Sequence, residues 1–307
     1  MAPDFVAISL PFTGYVGAMY SPRQTLAHRV CCAVALISVL TLALSWYLKG
    51  RIPEGDAASP RCLQAPLQTP TARKINLHKI NGFEYMVEPQ AEYDISGCVV
   101  STNAHWRSMF GLLGEATDTP DVGMVWGENL TSGDINKVDF WSGDFTLFWQ
   151  YGPGVTFYAN AGGNVHVLAA TPEVYDIATG LRRGDQIRMR GSLVNYYRTD
   201  WGAHWRKSSL TRGDVGPTAC EVMFVDQIEI IERGTPVWYF LYSLSFWALL
   251  FSLAGITGIF VRAITKPRAR PAPIVGPVEL PQVLQPAVKK ATAKIAGQNQ
   301  REIEPWH

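Results

Sequence analysis

The triplet His105-Trp106-Arg107 recurs as His204-Trp205-Arg206 in the second half of the chain, and His166 lies between the two. Brought together with Asp94, Asp200 or Asp214, these imidazoles and guanidinium groups would have the makings of a general acid–base or metal-assisted hydrolytic site. The spacing argues against it. The chain has no HExxH, GxSxG or CxxC, and no two histidines stand at helical or hairpin distance from each other. The plainer reading makes Trp106 and Trp205 core anchors whose neighbouring His and Arg hydrogen-bond the rim. His105, His166 and His204 therefore stand as candidate catalytic residues of a hydrolase only. No metal or cofactor is expected, and a non-enzymatic protein is the leading expectation.

The segment from Trp201 to Cys220 is the better candidate for function, because polar loops on a rigid scaffold tend to carry binding. Trp201 and Trp205 offer flat faces for a sugar or another ring, Arg206, Lys207 and Arg212 offer positive charge, and Asp214 offers a carboxylate. A glycan, an anionic polymer and a protein all remain open as partners. So does a purely structural loop buttressed by Asp214.

Five cysteines divide into two groups. Cys31 and Cys32 fall in an apolar run, whereas Cys62, Cys98 and Cys220 fall in the intervening region, where an oxidising compartment would permit a bridge. Cys98 and Cys220 lie on or beside the first and last long strands, often neighbours in a barrel, and are the expected pair. Cys62 with Cys98, and no bridge at all, are the alternatives.

These residues need a scaffold, and residues 73–232 have the texture of one: a compact β-rich domain with its own core. Strand character marks Phe83–Val87, Tyr93–Ser101, Met124–Trp126, Asp144–Tyr151, Val155–Ala159, Val165–Leu168, Gln186–Tyr197 and Glu221–Ile231. Gly152-Pro153-Gly154 reads as the turn of a hairpin. Thr171, Pro172 and Glu173 read as N-cap, first helical residue and dipole partner of a short helix ending near Leu181. Gly191 sits where a long strand bends. Strands with one short helix before a long bent strand predict a small, partly closed, OB-like β-barrel, with a two-sheet sandwich as the fallback.

Two charge-free runs flank this domain: residues 30–48, ending in Trp46 and Tyr47, and residues 237–261, opening with Trp238, Tyr239 and Tyr242. Each is long enough to cross a bilayer as a helix. The first exceeds the apolar length of a signal peptide, so a retained helix is expected. Arg262, Lys266, Arg268 and Arg270 follow the second, which puts both termini in the cytoplasm and residues 49–236 outside. The expected order is a cytoplasmic segment 1–29, a transmembrane helix 30–48, an extended Pro-containing linker 49–72, the domain 73–232, a transmembrane helix 237–261 and a basic, Pro-rich tail 262–307.

Charge follows the same division. Residues 262–307 hold eight Lys/Arg against Glu279, Glu302 and Glu304, while residues 30–261 hold 17 basic and 22 acidic residues. A mildly acidic middle argues against nucleic acid as a partner, since phosphate contacts need a basic face. The basic tail is suited instead to anionic membrane lipid.

Several stretches carry a resemblance: Asp121 to Gly127, Asn164 to Leu168, Arg183-Gly184-Asp185 with Arg190 to Val194, and Trp205 to Arg212 with Ala219-Cys220-Glu221. They are similar to an uncharacterised family of bacterial inner-membrane proteins with an exported, OB-like β domain. The resemblance covers roughly residues 121–221 and implies a bacterial envelope location; the family has no assigned activity. The expectation is thus an inner-membrane protein that presents an extracytoplasmic barrel to an envelope protein or polymer. A membrane-tethered hydrolase, and a sensor signalling through the tail, are the alternatives.

Overall fold

The computed structural model describes residues 22–80, 82–103, 119–143, 146–202, 204–212, 214, 219–265, 289, 290 and 293. The chain divides into two units, one of residues 26–256 and one made of both ends, 1–25 with 257–307. Of the second, the described residues are a turn of helix at 22–25, the helical stretch 257–265, and helical positions 289, 290 and 293. The expected leader 1–21 and most of the tail lie outside the described residues.

Two helices are long and apolar enough to cross a membrane: α1, Pro22–Leu48, and a last helix, Pro236–Thr265. Both extend beyond the charge-free runs, since a helix continues until its backbone meets a breaker rather than where its hydrophobicity ends. α1 stops before Lys49 and Gly50, whose φ of 69° suits glycine. The last helix starts at Pro236, whose missing N–H falls where no intrahelical partner exists.

Between them runs a mainly β region. Its strands are β1 (Leu67–Pro70), β2 (Asn76–Ile80), β3 (Phe83–Thr102), β4 (Asp121–Val125), β5 (Asp139–Gly143), β6 (Thr146–Gln150), β7 (Gly162–Ala169), β8 (Gln186–Arg198) and β9 (Glu221–Glu232). One short helix, α2 (Pro172–Thr179), lies between β7 and β8, and the last helix is α3. The main sheet follows the order β1-β3-β4-β7-β9-β8, and pairing of β8 back onto β3 curls it into a ring. β7 and β9 run parallel; the other pairs are antiparallel. Tyr85, Ile95, Met124, Leu168, Met189, Leu193 and Met223 fill the interior without exposure. Each such side chain contributes about 1.5–3 kcal/mol of burial.

The α2 cap matches its sequence signal: the Thr171 hydroxyl accepts the Val174 N–H at 3.3 Å. Gly191 is needed because an added Cβ would lie 1.9 Å from the Phe224 carbonyl oxygen, where the β8–β9 register shifts.

Three expectations are corrected. Phe83–Val87 and Tyr93–Ser101 are one strand, β3, because Pro89 sits at a register shift against β8 and bends the ladder without ending it. The hairpin is β5 with β6, not Asp144–Tyr151 with Val155–Ala159; Trp141 stacks on Phe148 across it at 5.6 Å. Gly152-Pro153-Gly154 turns the chain without joining strands.

Residues 49–72 are no free tether either. Ile52, Ala58 and Cys62 are buried with Cys98, Val125, Leu130, Ile135 and Phe140 in a second apolar cluster. Asn136 brackets the Ile52 backbone, donating to its carbonyl at 2.8 Å and accepting its N–H at 2.9 Å. The Ser59 N–H meets Gln186 at 2.5 Å. Composition reports local preference only, and these partners are remote in sequence.

The segments flanking the two helices cross the turn at 182–185 at close quarters. The Gly50 N–H donates to the Thr235 hydroxyl at 2.9 Å, Arg183 Nε donates to the Gly50 carbonyl at 3.2 Å, and the Tyr239 hydroxyl donates to the Arg183 carbonyl at 3.0 Å. An added Cβ at Gly234 would lie 2.2 Å from the Gly184 carbonyl carbon. Gly234→Ala should therefore cost about 2–4 kcal/mol of stability, because backbone rather than a flexible side chain must move. Gly152→Ala, which meets nothing within 4 Å, should change it by a few tenths. Denaturant unfolding of the full-length protein in detergent checks both.

Candidate functional site

The connection from β8 to β9 folds back onto the sheet. Arg206 makes an isolated bridge with Tyr196, donating its N–H to Tyr196 at 2.7 Å and accepting at 2.9 Å. The Ser209 hydroxyl donates to Asp214 Oδ2 at 2.7 Å and accepts the Thr211 N–H at 3.1 Å, which draws Thr211 and Asp214 onto Ser209. The Ser209 N–H reaches the Cys220 carbonyl at 3.0 Å, and Arg212 donates to the Pro66 carbonyl at 2.5 Å.

Beside this connection is a cavity of about 120 Å³. Trp126, at the end of β4, and Trp149, on β6, give it aromatic walls. Asn164, Cys220 and Glu221 line it from β7 and the start of β9, with Arg212 and Asp214 from the connection. Glu221 points inward because it is in phase with Met223 and Val225 on β9. Gly163 makes room for it: a Cβ there would lie 3.1 Å from Glu221 Oε2.

Burial raises the Glu221 carboxyl from an ordinary 4.5 to about 7, and the Asp214 charge adds to this against the opposing pull of Arg212. Among the described residues, Glu221 Oε2 and both atoms of the Asn164 amide have no protein oxygen or nitrogen to bond, although Glu221 is only 7% exposed and Asn164 only 4%. Buried polar atoms in a folded protein are nearly always paired, with protein, water or ligand. The cavity thus combines aromatic faces with an unpaired carboxyl oxygen and an amide whose contact is the Cys220 thiol. Burial also raises the Cys220 thiol, which makes it a poor nucleophile.

His166 is separate from that cavity and fully buried. Its Nδ1 makes a very short contact with Asp121 Oδ1, and its Nε2 accepts from Arg206 Nη2 at 2.8 Å. Donation by a guanidinium leaves Nε2 as acceptor and puts the ring proton on Nδ1, facing Asp121. Asn103 completes the network, donating to Asp121 Oδ2 at 2.7 Å and accepting the Asp121 N–H at 2.8 Å. With both ring nitrogens engaged and no exposure, His166 holds β4, β7 and the connection together and presents no nitrogen to a substrate.

The other sequence candidates are scattered. His105 lies outside the described residues, and His204 is exposed on the connection. Of the expected binding loop, Arg212 and Asp214 line the cavity, Arg206 turns inward to His166, and Lys207 is exposed. Trp205 is 39% exposed and meets Tyr197 edge to face at 4.8 Å. Of Trp201 only the backbone is described, in a helical turn. Cys98 and Cys220, the expected bridge, are not brought together: Cys98 packs beside Cys62, while Cys220 lines the cavity. β4 and β7 intervene between β3 and β9 along that side of the ring. Glu221, Asn164, Trp126 and Trp149 were not expected as site residues, although the first three fall in the stretches that carry the resemblance. The one available signal was an acid in phase with the inward Met223 and Val225 of a strand.

No family model, curated protein or solved structure matches the chain.

The Glu221 shift has a definite sign in stability. An acid whose folded value is raised binds a proton where the unfolded chain has released it, so its contribution is complete below pH 4.5 and is lost as pH rises to about 7. The loss is on the order of 3 kcal/mol. The denaturation midpoint of the wild type should fall between pH 5 and pH 8, and Glu221→Gln should flatten that fall. A fall of equal size in both proteins would contradict the assignment.

Proposed function

We propose that this chain is a bacterial inner-membrane protein that holds an OB-like binding barrel on the extracytoplasmic side, with residues 49–236 outside and both termini inside. The cations that follow α3 in the sequence, Arg262, Lys266, Arg268 and Arg270, support this orientation, and they are suited to anionic lipid headgroups. The strand order supports the OB-like reading: a ring of β3, β4, β7, β9 and β8, with β7 and β9 parallel and a helix between β7 and β8, is the arrangement of a five-stranded Greek-key barrel.

The barrel binds a saccharide unit of an envelope polymer in the cavity beside the β8–β9 connection. One observation carries this reading: the Oε2 atom of a buried acid and a buried amide, neither with a protein oxygen or nitrogen partner, share a small space with two tryptophans. A sugar ring has hydroxyls at its edge for Glu221 and Asn164 and a C–H face for the indoles. Strands carrying the site, with a loop from β8 to β9 over it, match how such barrels take oligosaccharides.

A second reading has its own observation. A carboxylic acid that titrates near neutrality inside a cavity is what a glycosidic general acid requires, so a hydrolase would work through Glu221 rather than through the histidines.

One titration addresses both. Full-length protein in a detergent without a sugar headgroup is titrated with chitotetraose, maltotetraose and dextran and followed by tryptophan fluorescence. Saturable binding is expected for at least one of them, weakened about tenfold or more, some 1.4 kcal/mol, by Glu221→Ala and by Trp149→Ala. No response to any of the three would overturn the saccharide reading. Release of shortened oligosaccharide by the wild type but not by Glu221→Gln would establish the hydrolase instead.

A further inference from the structure

We propose that Cys62 and Cys98 form a disulfide that fastens the segment following α1 to strand β3, while Cys220 stays a thiol. This rests on the reading that residues 49–236 lie in an oxidising compartment; the geometry itself does not depend on it.

The two residues are framed by backbone. Cys98 on β3 pairs with Val125 on β4, and two residues beyond Val125 the Gly127 N–H donates to the Cys62 carbonyl at 2.9 Å. The end of β4 therefore holds residue 62 beside residue 98. Both side chains have no exposure and belong to one apolar cluster. The two thiols share a hydrogen bond, which holds the Cys98 thiol well above its ordinary range and lowers that of Cys62.

The stretch that carries Cys62 is held independently of the sulfurs. Ser59 N–H bonds Gln186 at 2.5 Å, the Gln186 amide returns a bond to the Ala57 carbonyl at 3.1 Å, and Arg61 pairs with Glu229 at 2.9 Å. A bridge would thus lock an arrangement the chain already adopts rather than impose one. A thiol pair in such a place contributes little on its own, because S–H is a weak donor. The third cysteine of the region has different neighbours: Cys220 faces the cavity with Asn164 and Glu221.

The chemistry is ordinary thiol–disulfide exchange with a disulfide donor, such as an oxidised Cys-x-x-Cys oxidoreductase or glutathione disulfide. The Cys62 thiolate attacks a donor sulfur, forming a mixed disulfide and releasing one donor thiol. The Cys98 thiolate then attacks Cys62 Sγ and expels the second donor thiol. Two protein thiols become one S–S bond, the donor disulfide becomes two thiols, and the two protons given up by the protein thiols end on the donor thiols. Since both sulfurs are buried in the finished fold, exchange precedes docking of residues 52–62 on the barrel.

The test uses full-length protein made in cells, quenched with acid, unfolded and labelled with a maleimide polymer that adds a fixed mass per thiol. Three labels are expected without reductant and five with it. Cys62→Ser and Cys98→Ser should each show four labels under both conditions, and Cys220→Ser two and four. Adding reductant should lower the unfolding temperature of the wild type and of Cys220→Ser by several degrees, and leave the other two variants unchanged.

External protease on spheroplasts, run in parallel, tells which premise fails. Five labels without reductant on a domain that protease cuts would overturn the disulfide, as would a bridge containing Cys220. Five labels on a shielded domain would count against the topology. Purified protein unfolded, reduced and refolded in detergent with glutathione disulfide then decides the pairing: a Cys62–Cys98 bridge upholds the proposal, and its absence ends it.

Discussion

The Asp185 carboxylate is the group on which the arrangement of this protein turns. It is 1% exposed, and it sits where the β region meets the approaches to both long helices. Its Oδ1 accepts the Gly234 N–H at 2.9 Å, and its Oδ2 accepts the Arg182 N–H at 3.0 Å and an Arg233 guanidinium at 2.8 Å. Leaving a charge buried without such donors costs several kcal/mol, so the three donors are held as firmly as the carboxylate. The backbone of the same turn bonds β3, with Val99 N–H to the Asp185 carbonyl and Gly184 N–H to the Val99 carbonyl, both at 2.8 Å. One residue thereby joins the 182–185 turn, the approach to α3 and the longest strand. Gly50, Gly184 and Gly234 let the backbones come close enough for this to happen. Thr235 takes a φ of 46°, uncommon for a branched residue, and its hydroxyl is held by Gly50. Within residues 26–256 the helices are consequently joined to the ring of strands by hydrogen-bonded backbone rather than by free linkers.

Two buried polar groups in the same region have opposite fates, and the contrast explains the functional reading. The imidazole of His166 is matched on both nitrogens and stiffens the fold. Glu221 has burial without equivalent partners, so its carboxyl is pushed toward neutrality and one oxygen is left for water or a ligand. Burial alone does not mark a site. A shortage of partners in a space that holds a guest does.

What could be read from the sequence was whatever is encoded over a turn or two of chain. The long apolar runs, the Thr171-Pro172-Glu173 helix start and the strands β7, β8 and β9 were legible, because charge, capping and alternation are local signals. Pro89 and Gly152-Pro153-Gly154 misled, since a proline marks a bend whether the ladder continues or stops, and a turn need not join paired strands. The buried course of residues 49–66 was illegible for another reason: Asn136 and Gln186, which hold it, are far along the chain. The same limit hid the cavity, whose tryptophans come from β4 and β6 and whose acid comes from β9. The sequence weighed the histidines for chemistry and favoured a structural role for them, while it gave Glu221 no role; in the fold His166 is matched on both ring nitrogens and Glu221 is buried with Oε2 unpaired.

If the Asp185 junction governs the molecule, it should open only when the barrel does. Hydrogen exchange on full-length protein in lipid nanodiscs measures this directly, through the amides of Gly50, Val99, Gly184 and Gly234. The account predicts that these four exchange as slowly as the core amides of β8 and β9. Rapid exchange at Gly50, Gly184 and Gly234 over a protected barrel would show that the helices hang loosely from it, and would contradict the account.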